Sequence, residues 1–124
     1  MNKRILLIED NEQNRYLVTF LLQARGWEVL HAADGPAGLA LAGEIAPALI
    51  LLDIQLPGMD GYAVARALRA NPKLAEVPIV AVTSYAMPGD RERCIEAGCT
   101  GYLEKPITPQ TFAAEVEALL EASA

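Results

Sequence analysis

The sequence predicts an α/β domain in which the five strands of a parallel sheet alternate with five helices. Short apolar runs recur along the chain, and segments with apolar residues at helical spacing separate them. Runs such as Ile5–Ile8 and Ala48–Leu52 are apolar without interruption, which is typical of strands covered on both faces. The length of 124 residues, 52% of them apolar, fits one domain spanning residues 1–124 with a full core.

The first predicted strand is Ile5–Ile8, and a helical pattern follows over Glu12–Arg25 until Gly26 ends it. The second strand is predicted at Glu28–Ala32. The apolar positions of the helix that are expected to share its buried face are Leu17, Phe20, Leu21 and Ala24.

The second predicted helix runs to about Glu44, with Asp34 placed to cap it and Pro36 in its first turn. Gly38 lies inside this helix and costs it about 1 kcal/mol relative to alanine. Nothing in the sequence explains that glycine.

The remaining strands are predicted at Leu49–Asp53, at Pro78–Thr83 and around Tyr102–Glu104. Asp60 is expected to cap a helix over residues 61–70, and a further helix covers residues 90–97. The last helix is expected to start at Thr108-Pro109 and to bury Phe112, Val116 and Leu119, with Ile107 and Phe112 as a hydrophobic staple.

Composition and charge exclude several classes of function. The net charge is −6 and the ten Lys and Arg residues form no basic patch, so nucleic acid is not an expected partner. The apolar runs are too short to cross a bilayer and no signal peptide is visible, so we expect a cytoplasmic protein without membrane contact. Cys94 and Cys99 lack metal-binding spacing and are expected to be buried, reduced thiols.

Reactive side chains follow the predicted strands at the points where these strands end. Glu9 and Asp10 follow the first strand, Asp53 ends the third, Thr83 ends the fourth and Lys105 follows the fifth. Each alone is commoner as a turn former or surface group, but ligands of open parallel sheets bind at this rim. Three carboxylates together favour Mg²⁺, which prefers oxygen ligands. With a lysine and a hydroxyl nearby, they suit phosphoryl transfer to an aspartate.

These residues resemble the receiver domains of two-component response regulators, and the resemblance covers essentially the whole chain. The motifs that carry it are IED at Ile8–Asp10, LLDIQLPGMDG at Leu51–Gly61, VAVTSYAM at Val80–Met87, DRERCIEAG at Asp90–Gly98 and GYLEKPI at Gly101–Ile107. The chain is similar to stand-alone receivers of the bacterial cell-division type and to receivers fused to hybrid kinases. The resemblance implies a flavodoxin-like, doubly wound five-stranded parallel sheet in the order 2-1-3-4-5, with five helices.

The resemblance also implies a phosphorylation and metal site. Asp53 is the expected phosphoacceptor. Asp10 and Asp53 are the expected Mg²⁺ ligands, Gln55 would add its backbone carbonyl, and Glu9 would act largely through water. The side chain of Lys105 would contact the phosphoryl group, and the Lys105–Pro106 peptide bond is expected to be cis.

A switch and a control of phosphoryl lifetime are implied in the same way. Thr83 is expected to move toward the phosphoryl oxygens, and Tyr102 to turn inward into the vacated space. Gln55 and Tyr85 are the positions expected to tune hydrolysis. Shielding by Tyr85 would give a lifetime of minutes or longer, and the alternative is that Tyr85 only belongs to a partner surface.

Two partner surfaces are expected on a protein that is a monomer or weak dimer. A histidine kinase or histidine phosphotransfer protein would dock near the first helix and the loop after Lys105, around Asn14, Leu17, Pro106 and Ile107. A downstream protein would bind the face formed by the fourth helix, fifth strand and fifth helix. No turnover of an external substrate is expected.

Other functions fit the sequence less well. A haloacid-dehalogenase-type phosphatase needs a second aspartate two positions after the first, where this chain has Gln55. A nucleotide-binding module needs a glycine-rich loop after the first strand, and none is present in the sequence. A receiver-like interaction module regulated without phosphorylation remains the nearest alternative.

Overall fold

The computed structural model describes residues 2–56, 58–84 and 88–122. Within these ranges five strands and five helices alternate as the sequence predicts, and a short 3-10 helix, Pro72–Leu74, precedes the fourth strand. The strands are β1 (Arg4–Ile8), β2 (Glu28–Ala32), β3 (Leu49–Asp53), β4 (Ile79–Thr83) and β5 (Gly101–Glu104). The helices are α1 (Glu12–Gln23), α2 (Gly35–Ile45), α3 (Gly61–Ala70), α4 (Asp90–Ala97) and α5 (Phe112–Ala122).

The strands form one parallel sheet in the order β2-β1-β3-β4-β5, which confirms the predicted fold class and strand order. Strand β1 pairs with β2 on one side and with β3 on the other, so that Ile5 lies between Val29 and Leu49. The chain therefore reverses its direction of winding between β1 and β3. Ligands of such sheets bind where the strand order reverses, so the loops after β1 and β3 border the expected site.

Each face of the sheet carries its own apolar core. Helices α1 and α5 cover one face through Val18, Leu22, Phe112 and Val116. Helices α2, α3 and α4 cover the other face through Ala42, Val64, Leu68 and Ala97. Strands β3 and β4 are buried over their whole length because both faces are covered, as their uninterrupted apolar runs predict.

Three helices begin at a capping side chain. Asn11, Asp34 and Asp60 precede α1, α2 and α3, and each accepts a hydrogen bond from the backbone N–H three residues further on. The caps predicted at Asp34 and Asp60 are thus confirmed. The Asn11 cap begins α1 directly after the acidic pair at the end of β1, so this helix starts at the rim of the sheet.

The buried face of α1 differs from the predicted one. Val18 and Leu22 are buried, whereas Phe20 is 60% exposed, Ala24 is exposed and the other two predicted positions are only partly covered. Arg15 lies on the same face as Val18 and Leu22 and donates hydrogen bonds to the two backbone carbonyls that directly follow β1. Apolar spacing alone could not reveal that a charged side chain belongs to the inner face.

Helix α5 starts later than predicted. The backbone N–H groups of both Thr111 and Phe112 donate to the Thr108 carbonyl, so residues 109–111 form a tight turn that leads into the helix. The helix itself begins at Phe112. Phe112 and Val116 are buried as predicted, whereas Leu119 is only partly buried.

The glycine in α2 has a structural reason. A Cβ atom at Gly38 would lie 2.5 Å from Cδ1 and 2.8 Å from Cγ1 of Ile8, which is fully buried in β1. Carbon atoms cannot approach so closely without displacement. The absence of a side chain therefore lets α2 lie directly against the end of β1, beside the acidic pair.

The two cysteines are free and buried, as predicted. Burial raises the pKa of Cys99 to about 12 and also raises that of Cys94, so both thiols stay protonated. Among the described residues, no helix has the length and apolar character needed to cross a bilayer.

Candidate functional site

The sheet brings the predicted reactive side chains to one rim. Glu9 and Asp10 follow β1, Asp53 is the last residue of β3, and Lys105 follows β5. All four line one open cavity of about 560 Å³ at the carboxyl ends of the strands. The other described residues around this cavity are Asn11, Asn14, Gln55, Ser84 and Pro106.

Lys105 bridges two carboxylates. Its Nζ atom lies 2.8 Å from Oε1 of Glu9 and 3.4 Å from Oδ2 of Asp53. The side chain of Lys105 is 13% exposed, and those of both acids are 4% exposed. The Lys105–Pro106 peptide bond is cis, as the resemblance implied. The ammonium group is thus held nearer to Glu9 but within reach of Asp53.

The pKa values of the two buried acids, Asp53 and Glu9, are shifted in opposite directions. Burial raises the pKa of Asp53 to about 7, and the neighbouring carboxyl of Glu9 adds to the rise. Burial also acts to raise the pKa of Glu9, but hydrogen bonds with Asp53 and Lys105 outweigh it and hold that pKa below its ordinary value. Without a metal, the proton of the pair therefore lies mainly on Asp53.

Lys105 keeps its positive charge in this buried position. Burial alone would lower the pKa of its ammonium group, but the hydrogen bond to Glu9 and the negative charge of Asp53 overcome that effect, and the pKa is raised. Lys105 is consequently a permanent cation beside Asp53.

The donor set fits a hard divalent cation. Carboxylate oxygens of Glu9, Asp10 and Asp53 all lie within 4.8 Å of one another. Asp10 is exposed while the other two are buried, so the cluster opens to solvent on one side. Oxygen ligands with room for water molecules are what Mg²⁺ prefers. The pKa of Asp53 is raised chiefly by burial and further by the neighbouring Glu9 carboxyl, and a cation beside these oxygens would favour the ionised form of Asp53.

The loop after β3 fixes the orientation of Asp53. The backbone N–H of Gln55 donates to Oδ1 of Asp53 at 2.9 Å, which leaves Oδ2 on the side of Lys105. The backbone N–H of Gly61 donates to the Ile54 carbonyl at 2.9 Å. A Cβ at Gly61 would lie 2.4 Å from the Ile54 Cα, so only glycine permits this approach. The start of α3 thereby supports the loop that carries the acid.

A side-chain contact spans the cavity between two loops. The hydroxyl of Ser84 donates to Oε1 of Gln55 at 2.7 Å, and both residues line the cavity. Ser84 directly follows Thr83, so the contact joins the loop after β3 to the loop after β4. The sequence alone does not point to this role of Ser84, because a serine after a strand has many commoner uses.

Arg15 is a second residue that the sequence analysis missed. Its guanidinium donates to the backbone carbonyl of Glu9 at 2.9 Å and to that of Asp10 at 3.1 Å. These bonds hold the backbone of the acidic pair against α1. Its spacing of five residues from Asp10 was visible in the sequence, but contacts to carbonyls leave no pattern there.

Thr83 and Tyr102 lie on the same side of the sheet. Thr83 ends β4 and is 3% exposed. Tyr102 of β5 lies opposite Ala81, two residues before Thr83, and packs partly buried on the core under α2, α3 and α4. Because side chains alternate along a strand, Ala81 and Thr83 point to that same face.

The structure thus places together the predicted metal and phosphorylation residues Glu9, Asp10, Asp53, Gln55 and Lys105. Thr83 borders them through its neighbour Ser84, and Tyr102 lies away from the cavity on β5. Tyr85 lies outside the described residues, so its predicted effect on phosphoryl lifetime stays a prediction.

Comparison with known proteins identifies the class to which this site belongs. A sequence model of the response regulator receiver domain matches residues 5–117, which is most of the chain. The chain therefore belongs to the receiver domain family of two-component signalling.

Individual relatives cover nearly the same length. The polar-differentiation response regulator DivK of Brucella ovis is 40% identical over 120 residues, which are 97% of this chain and 98% of that protein. The solved structure of the Vibrio cholerae chemotaxis protein CheY4 matches with a TM-score of 0.91 at 29% identity, covering 96% of this chain and 99% of that one.

A third relative carries a metal. The receiver domain of the sensor histidine kinase PA1611 from Pseudomonas aeruginosa was solved with a magnesium ion coordinated in its active site cleft. It matches with a TM-score of 0.85 at 37% identity, covering 98% of this chain and 97% of that one.

Proposed function

We propose that Asp53 accepts a phosphoryl group from the phosphohistidine of a histidine kinase or histidine phosphotransfer protein, and that this modification controls binding of a downstream protein. The observation that carries the proposal is the position of the Asp53 carboxylate. It shares a cluster of acidic oxygens within 4.8 Å of one another, and Lys105 Nζ lies 3.4 Å from it. An aspartate with metal-binding neighbours and a fixed cation suits phosphoryl transfer.

In the transfer step a carboxylate oxygen of Asp53 attacks the phosphorus atom. The new O–P bond forms as the P–N bond of phosphohistidine breaks, and the electron pair of that bond stays on the imidazole nitrogen. Asp53 must first lose its proton, because only the carboxylate is nucleophilic and its pKa is about 7. Lys105 offsets charge on the phosphoryl oxygens. Asp10, Asp53 and the backbone carbonyl of Gln55 would hold Mg²⁺, with Glu9 acting largely through water, and the ion would supply further positive charge.

Intact-mass analysis after incubation with acetyl phosphate and Mg²⁺ tests this assignment. The wild type is expected to gain one phosphoryl group, and Asp53→Asn is expected to gain none. Asp60→Asn is a matched control, because asparagine can still cap α3 and the residue lies outside the cavity. Equal labelling of wild type and Asp53→Asn would overturn the proposal.

The requirement for metal is tested with the same readout. Without Mg²⁺ and with excess EDTA, labelling of the wild type is expected to fall at least tenfold, because the acidic cluster then repels the phosphoryl oxygens. Asp10→Asn is expected to need a higher Mg²⁺ concentration for half-maximal labelling. Unchanged labelling in EDTA would show that the acids do not act through a divalent cation.

Phosphorylation is proposed to act on partners through Thr83 and Tyr102. A phosphoryl group can shift a conformational equilibrium only through contacts that differ between the two states, and buried Thr83 carries the only side-chain hydroxyl of β4. With the phosphoryl mimic beryllofluoride, NMR shifts are expected to extend to Tyr102 in the wild type and to stay at the cavity in Thr83→Ala. Shifts of equal extent in both proteins would contradict the coupling.

The two partner surfaces follow from these positions. The phosphodonor is expected to dock over α1 and the loop after Lys105, where Asn14 and Pro106 line the cavity. The output partner is expected on the face of α4, β5 and α5, which carries Tyr102. We propose that residues 1–124 work as one receiver domain in the cytoplasm, as a monomer or weak dimer. It catalyses no reaction other than its own phosphorylation and dephosphorylation.

A further inference from the structure

The hydrogen bond between Ser84 and Gln55 is the only described side-chain to side-chain hydrogen bond that joins the loop after β3 to the loop after β4. Ser84 is exposed and Gln55 is partly buried, and both border the cavity that opens onto Asp53. The bond is short, at 2.7 Å, and Ser84 is the donor. The oxygen of the Gln55 side chain is therefore already in use as an acceptor.

The backbone of Gln55 is fixed as well. Its N–H donates to Oδ1 of Asp53 at 2.9 Å, so the residue is held at one end by the phosphoacceptor and at the other by Ser84. The amide nitrogen of the side chain carries only donor hydrogens. The hydrogen bond from Ser84 thus occupies one of the two lone pairs of the Gln55 amide oxygen and makes that oxygen less available to other donors in the cavity.

We propose that Ser84 is a positioning residue that slows loss of the phosphoryl group by occupying the amide oxygen of Gln55. This inference rests on the proposed phosphorylation of Asp53. In hydrolysis, a water oxygen bonds to phosphorus while the bond from phosphorus to the Asp53 oxygen breaks. The electron pair of that bond stays on the Asp53 carboxylate, and the protons of the water leave with the inorganic phosphate.

The attacking water must turn a lone pair toward phosphorus, and a hydrogen-bond acceptor for one of its O–H groups favours that orientation. The amide oxygen of Gln55 is such an acceptor on a residue adjoining the site. While Ser84 donates to it, the oxygen is less available to the water. Removal of the Ser84 hydroxyl releases it, so hydrolysis is expected to accelerate.

The test follows loss of phosphoryl group from protein that has been labelled with acetyl phosphate and then separated from the donor, in Mg²⁺. Four variants are compared with the wild type: Ser84→Ala, Ser84→Thr, Gln55→Leu and the double variant Ser84→Ala with Gln55→Leu. A single hydrogen bond corresponds to a change of about threefold to tenfold in rate. We expect Ser84→Ala to lose phosphate faster by that factor and Ser84→Thr, which keeps a hydroxyl, to resemble the wild type.

The double variant separates positioning from a general effect on the loop. It is expected to lose phosphate at the rate of Gln55→Leu, because Ser84 acts only through Gln55. Equal rates for wild type and Ser84→Ala, or the same acceleration with and without Gln55, would overturn the role of Ser84 while leaving phosphorylation of Asp53 intact. A wild type that takes up no phosphoryl group at Asp53 would overturn the proposed function and this inference together.

Discussion

In the folded protein without metal, the burial of the Asp53 side chain disfavours its negative charge. Its side chain is 4% exposed beside a second buried acid, and its pKa is raised from 3.8 to about 7. The folded state therefore binds this proton more tightly than the unfolded state does. Linkage then requires the contribution of Asp53 to stability to be fully present below about pH 4 and to be lost as the pH rises toward 7.

Asp53→Asn is expected to remove this loss, because asparagine keeps the shape and carries no charge. In EDTA at pH 8 the variant should unfold with a free energy about 1–3 kcal/mol higher than the wild type, and the difference should shrink toward pH 4.5. Urea denaturation at several pH values measures it. Asp34→Asn, which keeps its helix cap and does not line the cavity, serves as the control. A difference that does not vary with pH would contradict the raised pKa.

Gly38 allows a second prediction at the level of single residues. Alanine is normally better than glycine inside a helix by about 1 kcal/mol, but here its Cβ would lie 2.5 Å from buried Ile8. Gly38→Ala is therefore expected to destabilise the protein by about 1–3 kcal/mol. Ile8→Val in the same chain should recover part of the loss.

Gly43 is the matched control in the same helix. A Cβ there would meet only the side chain of Asn71, at an ordinary 3.8 Å. Gly43→Ala is expected to stabilise the protein by up to about 1 kcal/mol, measured by the same urea denaturation. Stabilisation by both alanine substitutions would show that the Ile8 side chain moves aside without loss of stability.

The reactive residues could be predicted from the sequence, whereas the residues that position them could not. Asp53 ends one strand and Lys105 follows another. Because the carboxyl ends of parallel strands lie at one rim of the sheet, the positions of these residues along the chain are enough to predict that they lie close together. Arg15 acts through two backbone carbonyls, and Ser84 acts through one side-chain acceptor. Such contacts depend on helix rotation and loop path, which leave no periodic signal in the sequence.

At the level of elements, the same limit explains the two errors in the helices. Strand positions were predicted closely because uninterrupted apolar runs have few alternatives. The inner face of α1 was predicted wrongly. A pattern of apolar residues assigns Phe20 to the buried face and Arg15 to the exposed face, whereas Phe20 is exposed and Arg15 faces inward. The predicted start of α5 is too early because Thr108-Pro109 has the composition of a helix start. In the structure this segment instead forms a tight turn, in which the Thr111 and Phe112 N–H groups share the Thr108 carbonyl.

Arg69 shows how one side chain connects several elements. It projects from the end of α3 and donates to the carbonyls of Gly98, after α4, and of Leu74 and Val77, before β4. Without the guanidinium each of these partly buried carbonyls would lose a hydrogen-bond donor, and within the described residues only that of Leu74 has a second one, the Val77 N–H.

Arg69→Ala is expected to lower the free energy of unfolding by about 2–4 kcal/mol, since several carbonyl acceptors lose the same donor at once. Arg69→Lys should recover little, because an ammonium group cannot reach acceptors on two sides. Arg66→Ala, an exposed arginine one turn earlier, should change stability by less than about 0.5 kcal/mol. Thermal unfolding ranks the three variants, and equal losses for Arg66→Ala and Arg69→Ala would refute the connecting role.

For the whole molecule, the doubly wound sheet is what converts scattered residues into a site. The strand order brings β1, β3, β4 and β5 side by side, so residues up to 96 positions apart meet, as Glu9 and Lys105 do. The same sheet connects the acidic rim to Tyr102 on β5 through the neighbouring strand β4. A chemical change at Asp53 thus lies one strand away from Thr83 and two from the proposed output face.

The position of the phosphoryl group is tested most directly by chemical trapping. Borohydride reduces an aspartyl phosphate to homoserine and leaves phosphoserine, phosphothreonine and free carboxylates unchanged. After labelling with acetyl phosphate and Mg²⁺, peptide mass spectrometry is expected to find homoserine at position 53 alone, and none when EDTA replaces Mg²⁺. Homoserine at Asp10 instead, or a borohydride-resistant phosphoryl group on Thr83 or Ser84, would contradict the assignment of Asp53 as the phosphoacceptor.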